Sequence, residues 1–208
     1  MIDGTIITVY QFLLSTVVAI GIAILFGLMK LSKNLAVRSV AIIYIEIFRG
    51  TSLLVQLFWI FFVLPLFGIH LDKFTAGFLA VGLNMGAYGA ELVRGAILAV
   101  PQGQWEAAIA LNMSSRKRMW RVVLPQAFVI MLPPWGNLII EILKGTALVA
   151  LISVTDLMFE VRQININTFL SIEAFGTAII IYYLIARLFV TPVMRAFENA
   201  MSRKIGRA

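Results

Sequence analysis

Residues 94–126 read RGAILAVPQGQWEAAIALNMSSRKRMWRVVLPQ, a polar stretch with hydrophobic sequence on both sides. The stretch contains five basic side chains. Good helix formers over 105–111 and 116–123 are interrupted at 112–115, which predicts two short helices joined by a turn. A hairpin of this kind between two apolar runs predicts a connection that protrudes from a membrane.

The composition supports a membrane protein. Of the 208 residues, 61% are hydrophobic and 13% are charged, whereas a soluble domain carries about a quarter charged residues. The apolar excess requires lipid as the solvent, and we expect one membrane domain over residues 1–208. The sequence contains no cysteine, which excludes disulfides, thiolate metal sites and cysteine nucleophiles.

Five apolar runs are long enough to cross a hydrocarbon core of ~30 Å, which needs ~20 helical residues. Backbone groups in lipid must pair within their own segment, so the fold is predicted to be all-α. The first run follows no basic n-region and is too long for a signal peptide, so we expect it to be a permanent span. The predicted spans lie at roughly 6–29, 50–68, 74–98, 126–152 and 174–194, with an amphipathic lead-in at 39–49.

Basic residues predict the orientation. Thirteen lie in the 1–2 connection, the 3–4 connection and the C-terminal end, against two in the other connections. The positive-inside rule then places the N-terminus outside, and the 94–126 loop and the C-terminus in the cytoplasm. This placement accounts for the net charge of +7 without nucleic acid. The thirteen are Lys30, Lys33, Arg38, Arg94, Arg116, Lys117, Arg118, Arg121, Arg187, Arg195, Arg203, Lys204 and Arg207; the two are Lys73 and Arg162.

The turn of the hairpin is predicted at Asn112. Asparagine is, after glycine, among the residues that most readily adopt the left-handed conformation that a sharp helix–helix turn needs. Ser114 or Ser115 can cap the second helix by accepting a backbone N–H bond. The alternative is a polar connector whose arginines only hold the orientation.

Motifs along nearly the whole chain resemble those of binding-protein-dependent ABC importer permeases, most closely the polar amino-acid branch. Glu106-Ala107-Ala108, followed by Leu124-Pro125, resembles the E-A-A-x-x-x-G signature of that family. Further matching stretches are Arg49-Gly50-Thr51, Leu53-Leu54-Val55-Gln56, Ala87-Tyr88, Glu91, Arg94-Gly95, Pro101-Gln102-Gly103-Gln104, Leu124-Pro125-Gln126-Ala127 and Leu132-Pro133-Pro134.

The resemblance implies a five-helix type I importer permease core, similar to that of methionine importers, and a cytoplasmic loop over about 99–123 that couples to an ATPase. Carried over to this sequence, Glu106 docks into a cleft of the ATPase subunit. The residues that the resemblance assigns to coupling are Gly103, Glu106, Ala107, Ala108, Asn112, Leu124 and Pro125.

The resemblance also implies the partners. These are two ATP-binding subunits, an extracytoplasmic solute-binding protein, and a second permease subunit that is identical or homologous, all at a bacterial cytoplasmic (inner) membrane. ATP and Mg would be bound by the partner ATPase, since no G-x-x-x-x-G-K-[ST] motif occurs in this sequence. The expected solute is a polar amino acid or a similar small zwitterion, including compatible solutes such as ectoine.

Three positions depart from the family pattern. Asn112 stands where glycine is usual, and Ser52 stands where proline is common. Gly145 replaces the usual acidic residue in the run Lys144-Gly145-Thr146-Ala147. Because this change removes a charge near the expected pathway, the substrate preference of relatives does not transfer directly.

Span 4 carries the main candidate for a substrate pathway. Asn137, Glu141 and Lys144 fall at i, i+4 and i+7, which places them on one stripe of a helix. A zwitterionic solute would direct its amino group toward Glu141 and its carboxylate toward Lys144. The alternative is a closed ion pair that only shapes the interior. Asn84 in span 3 and Thr146 after span 4 complete the predicted pathway set.

Three further patterns have two interpretations each. Gly82-x-x-x-Gly86 predicts a close-packing face, either within one subunit or between two. Glu91 and Arg94 are spaced for an i, i+3 pair, with a gate contact as the alternative. Residues 154–167 predict an amphipathic helix at the outer surface, either a simple lid or a docking surface.

An enzyme and a stand-alone secondary transporter are the alternative function classes. An enzyme is disfavoured because the sequence offers no nucleophile–base pair and no metal cluster, and the single histidine, His70, lies in a short loop. A stand-alone secondary transporter, with Glu141 or Glu91 carrying a proton, is the alternative transport mechanism. The absence of an internal inverted repeat argues against it.

Overall fold

Residues 1–204 are described in the computed structural model, and every regular element in that range is helical. The predicted all-α fold is therefore confirmed. Arg207, counted above among the basic residues, lies outside the described residues. The main helices are α1 (Ile2–Lys30), α2 (Leu35–Gly50), α3 (Leu53–Phe58), α4 (Lys73–Leu98), α5 (Gln102–Ala110), α6 (Ser115–Arg118), α7 (Leu124–Gly145), α8 (Leu157–Thr168), α9 (Ser171–Leu184) and α10 (Thr191–Lys204).

Tighter or wider helical segments continue several of these helices without a break. α3 continues through a π-helical segment and then a 3-10 segment, and α7 ends in a 3-10 segment. π-Helical segments also join α6 to α7 and α9 to α10. The π-helical segments are Trp59–Val63, Met119–Val123 and Ile185–Val190; the 3-10 segments are Leu64–Phe67 and Thr146–Ile152.

Within residues 1–204, four helical stretches are long and apolar enough to cross a membrane, and they match four of the five predicted spans. They are Ile2–Lys30, Lys73–Leu98, Ser115–Ile152 and Ser171–Met201. The last continues well past the expected end at residue 194. Arg187 lies within this helix, as it does within the predicted span at 174–194.

The predicted second span at 50–68 is not one straight helix. α2 ends at Gly50, and α3 leaves at an angle of 106° to it. The number of spans reaches five only if this bent pair counts as one. The Phe48 carbonyl, freed by the break, accepts hydrogen bonds from the side-chain amides of Gln56 and Asn84, each at 2.9 Å. Because residues 53–67 are continuously apolar, the sequence gives no sign of the change in helix direction.

α1 and α4 pack with their backbones in close contact. A Cβ added to Gly82 would lie 2.7 Å from the Val18 side chain, and one added to Gly86 would lie 2.6 Å from the Ile22 side chain. Both distances are shorter than van der Waals contact. The Gly82-x-x-x-Gly86 face is therefore filled by α1 of the same chain, which decides between its two interpretations.

Polar side chains of α1 tie the same two helices together. The Gln11 amide donates to the Phe74 carbonyl at 2.9 Å, and the Ser15 hydroxyl donates to the Phe78 carbonyl at 3.3 Å. Both polar side chains are fully buried. These bonds offset part of the cost of placing polar groups within a membrane bundle, although Gln11 Oε1 is buried without a hydrogen-bond partner among the described residues.

α8 confirms the amphipathic helix expected at 154–167. The buried Asp156 caps it, with Oδ1 accepting a hydrogen bond from the Phe159 N–H at 2.9 Å. Leu157 and Val161, two of the predicted apolar residues, are fully buried against Ala174 and Ala178 of α9. The apolar face of α8 is thus covered by the chain itself.

Candidate functional site

The hairpin at the end of α4 has the predicted helix–turn–helix form, with α5 and α6 joined by a left-handed turn. Asn112 has φ 51, as the need for a left-handed residue predicted. The Asn112 N–H donates to the Ile109 carbonyl at 2.8 Å, and the Met113 N–H donates to the Ala108 carbonyl at 3.1 Å. This pair of bonds is the Schellman arrangement that normally uses glycine at this position.

The second helix of the hairpin is anchored by local contacts. The Ser114 hydroxyl accepts from the Lys117 N–H at 3.5 Å, so Ser114 is the cap of α6. The Arg118 guanidinium lies over the Trp105 ring at 5.8 Å from its centroid. Together these contacts join α5 and α6 into one compact unit.

The predicted coupling residues divide between the surface and the base of this unit. Glu106 and Ala107 are exposed, whereas Ala108 is buried. Glu106 Oε1 accepts a hydrogen bond from the Gln102 amide at 2.9 Å, within α5. Gly103 is exposed, and a Cβ added there would meet nothing within 4 Å. No contact within the chain thus requires glycine at this position.

At the base of the hairpin the chain re-enters the bundle. Leu124 is partly buried in the cluster that contains Val100 and Val123. Pro125 is exposed and occupies the first turn of α7, where its missing N–H costs nothing. The apolar residues Ile109, Leu111 and Trp120 remain exposed on the hairpin, so the unit presents both a carboxylate and apolar surface.

Glu91 ties the cytoplasmic ends of α1 and α4 together close to the hairpin. Its Oε2 pairs with Arg94 Nε at 2.9 Å, which confirms the predicted i, i+3 pair. Its Oε1 pairs with Lys30 at the end of α1. Sequence reasoning missed Lys30 because the two residues are far apart in the chain; the only signal was a basic residue at the end of span 1.

The span 4 stripe has the predicted geometry. Asn137, Glu141 and Lys144 are all exposed on one face of α7. Lys144 Nζ lies 2.7 Å from Glu141 Oε1, and the two side chains are 62% and 56% exposed. Because both side chains of this ion pair are largely exposed, they can still form other hydrogen bonds. This face of α7 can therefore receive a polar solute.

Two predicted pathway residues are buried and hydrogen-bonded away from the exposed stripe of α7. Asn84 is buried, and its amide donates to the Phe48 carbonyl and to Gln56 Oε1, at 2.9 and 3.0 Å. Thr146 is also buried and donates to the Leu143 carbonyl at 2.7 Å. Neither side chain shares the exposed stripe. The sequence could not separate them from it, because burial depends on neighbouring helices.

The chain matches a family model over residues 19–203, described as "Binding-protein-dependent transport system inner membrane component". Among curated relatives, the probable amino-acid ABC transporter permease protein y4tF of Sinorhizobium fredii is 49% identical, covering 86% of this chain and 77% of the relative. The L-cystine transport system permease protein TcyB of Bacillus subtilis is 36% identical, covering 98% and 87%. The glutamine transport system permease protein GlnP of Escherichia coli is 34% identical, covering 97% and 92%.

Solved structures give the same picture. A crystal structure of an amino acid ABC transporter with histidines superposes with a TM-score of 0.88 at 36% identity, covering 96% of this chain and 92% of the other. An inward-facing structure of the MetNI methionine ABC transporter superposes with a TM-score of 0.67 at 18% identity, covering 91% and 90%. The second likeness concerns the fold alone.

Proposed function

We propose that this chain translocates a polar amino acid or a similar small zwitterion through an α-helical bundle, since it belongs to the family of binding-protein-dependent transport system inner membrane components and is the permease component of an amino-acid ABC importer. The chain is a transport component and not an enzyme. The names of the relatives refer to amino acids, and they give no support to ectoine or to a proton-coupled secondary transporter.

The hairpin of α5 and α6 is the docking surface for the ATP-binding subunits in this proposal. Its support is geometric: Glu106 is exposed on a rigid, capped unit, and the apolar side chains of Ile109 and Leu111 are exposed beside it. A carboxylate next to apolar surface is suited to a cleft of a soluble partner. ATP and Mg then bind only on that partner, and the motor works through the hairpin.

The mechanism that follows is alternating access. Closure of two ATP-binding subunits draws two hairpins together, one from this chain and one from a second permease subunit. The Lys30–Glu91–Arg94 group carries this displacement into α1 and α4, since it ties both helices beside the hairpin. Hydrolysis of ATP then returns the bundle to its inward-open state.

Orientation and location complete the proposal. The basic residues of the 1–2 and 3–4 connections support an N-terminus outside and a hairpin in the cytoplasm. An extracytoplasmic solute-binding protein then delivers solute to the face that carries α8. The membrane is the bacterial cytoplasmic membrane, as the family description suggests.

The observation that carries the docking proposal is the exposed Glu106, and its replacement tests it. In the complete importer, Glu106→Ala should reduce ATP-dependent uptake by about tenfold or more, the effect of losing one hydrogen bond to a charged group. Copurification of the ATP-binding subunit should fall in parallel. Glu173→Ala is the matched control, because Glu173 is an exposed glutamate in the first turn of α9. Full uptake and full copurification in Glu106→Ala would exclude this docking site.

A further inference from the structure

Two grooves of similar volume lie on different sides of the bundle. The first, of about 740 Å³, lies between α7 and the α9–α10 helix and is lined in part by Lys144, Tyr183 and Arg187; we name it the charged groove. The second, of about 750 Å³, lies between α1, α7 and α10 and is lined in part by Ile20 and Phe189; we name it the apolar groove. The residues placed around the apolar groove include no charged side chain.

Arg187 is the most unusual residue of the charged groove. It is exposed and lies within the span Ser171–Met201, inside the π-helical segment Ile185–Val190. The ion pairs found within residues 1–204 do not include it. An arginine within an apolar membrane-spanning helix is costly in hydrocarbon and needs water or an anion.

The backbone around Arg187 is locally adapted. In the π-helical turn the Ala186 carbonyl accepts the backbone N–H of Thr191, five residues on, and it also accepts the Thr191 hydroxyl at 2.9 Å. π-Helical turns inside α-helices occur frequently at functional sites. The segment therefore presents a guanidinium to the groove without leaving a backbone group unpaired there.

The two cationic side chains distinguish the charged groove from the apolar groove, although the rest of its exposed lining is almost entirely apolar. Lys144 lines the charged groove and pairs with Glu141, and Arg187 lies in the same groove. Ionisable groups within spans face a bundle interior or a water-filled cavity and avoid lipid. With Glu141 at −1 and Lys144 and Arg187 at +1 each, the group carries a net charge of +1. The apolar groove, in contrast, is suited to acyl chains.

We propose that the charged groove is the face along which the amino acid passes and that Arg187 receives a carboxylate of that solute. The guanidinium offers two parallel N–H donors to a carboxylate. The net positive charge selects neutral and acidic amino acids over basic ones. This inference rests on the proposed function and adds a specificity-determining residue to it.

The first test asks whether the charged groove is aqueous. Because the chain has no cysteine, single-cysteine variants report one position each. Arg187→Cys and Phe189→Cys lie two residues apart in one helix, both exposed but on different grooves. In the assembled permease–ATPase complex in proteoliposomes, a negatively charged methanethiosulfonate should modify Arg187→Cys at least about tenfold faster than Phe189→Cys. Equal rates at the two positions would overturn the inference.

The second test asks what Arg187 binds. Tyr183→Cys, with Arg187 retained, reports from the same groove, since Tyr183 also lines it and is exposed. Without the binding protein, L-glutamate and L-glutamine should slow its modification, whereas L-lysine should not. Adding Arg187→Gln should raise the L-glutamate concentration needed for protection by about tenfold or more, and Arg187→Lys should restore part of it. Equal protection by L-lysine, or protection unaffected by Arg187→Gln, would overturn the assignment.

The two proposals fail in different ways. ATP-dependent uptake by the wild-type importer, with its binding protein present, tests the proposed function whichever residue receives the solute carboxylate. Wild-type uptake together with equal modification of both cysteine variants rejects only the inference about the charged groove. Loss of ATP dependence in the wild type rejects the proposed function itself.

Discussion

At the scale of single residues, the chain places polar groups in three distinct settings. Asn84 and Gln56 hold a broken helix together through the Phe48 carbonyl. Glu141 is open to one face of α7, and Asp156 is buried beneath α8. The setting, more than the residue type, decides whether a polar group supports the fold or remains available to a solute.

Glu141 is predicted to contact the solute. Glu141→Gln should abolish uptake, because the solute amino group loses its anionic partner, while the ATP-binding subunits still copurify. The charge swap Glu141→Lys with Lys144→Glu separates this role from a structural one. A pair that only shapes the interior tolerates the swap, since its 2.7 Å ion pair can re-form. Restored uptake in the swap variant would therefore contradict a solute contact.

Asp156 is predicted to make stability depend on pH. Burial raises the pKa of Asp156 from 3.8 to about 6, so the folded chain favours the protonated carboxyl. The penalty is absent below about pH 4, grows as the pH rises toward 6 and is complete above it, reaching up to about 3 kcal/mol. Asp156→Asn keeps an oxygen for the Phe159 N–H and should raise the melting temperature at pH 7.5 but not at pH 4.

Asp72 is the matched control for Asp156, since it caps α4 in the same way but is exposed to solvent. Hydrogen bonds from Thr75 lower the pKa of Asp72 below its ordinary value. Its stabilising effect is therefore present at neutral pH and is lost as the pH falls. Asp72→Asn should lower the melting temperature at pH 7.5, opposite in sign to Asp156→Asn. Equal shifts in both variants would contradict the role of burial.

At the scale of elements, the sequence predicted what depends on local chemistry. Asn112 was assigned to a left-handed turn from its residue type alone, and the hairpin has that turn. The stripe of Asn137, Glu141 and Lys144 follows from helical spacing and is confirmed as one exposed face. The break after Gly50 could not be predicted, because the apolar run continues across it and only packing fixes the angle.

The contact of α1 with α4 gives a prediction at the same scale. Gly86→Ala should destabilise the protein by about 1–3 kcal/mol, the usual effect of overpacking, because the new Cβ would lie 2.6 Å from the Ile22 side chain. Thermal unfolding in detergent measures the loss. Ile22→Ala removes Cγ2 but keeps the Ile22 Cβ, 2.7 Å from the new methyl group, so it should rescue Gly86→Ala only in part.

Gly21→Ala is the control for this element, since a Cβ at Gly21 meets nothing within 4 Å. It should leave the melting temperature unchanged or raise it slightly, because alanine favours a helix over glycine. A loss of stability in Gly21→Ala equal to that in Gly86→Ala would show that any side chain on these helices is harmful. The explanation by close packing would then be wrong.

At the scale of the whole molecule, the sequence predicted a helical bundle but not how its faces are used. Four spans follow from apolar length, which a sequence shows directly. The distinction between the charged groove and the apolar groove depends on which helices are neighbours. The predicted span at 174–194 already included Arg187, but the sequence did not show which groove this residue lines. The pairing of Lys30 with Glu91 was also not predicted, because it depends on α1 and α4 being neighbours.

The direct contact between the backbones of α1 and α4 has a mechanical consequence. At Gly82 and Gly86 no side chain of α4 separates the two helices. Because this interface is tightly packed, we expect the two helices to move together as one rigid unit. A displacement of the Lys30–Glu91 end is then expected to move the opposite end of both helices by a similar amount. The flexibility that the transport cycle requires must then lie elsewhere, and we expect it at the 106° bend between α2 and α3.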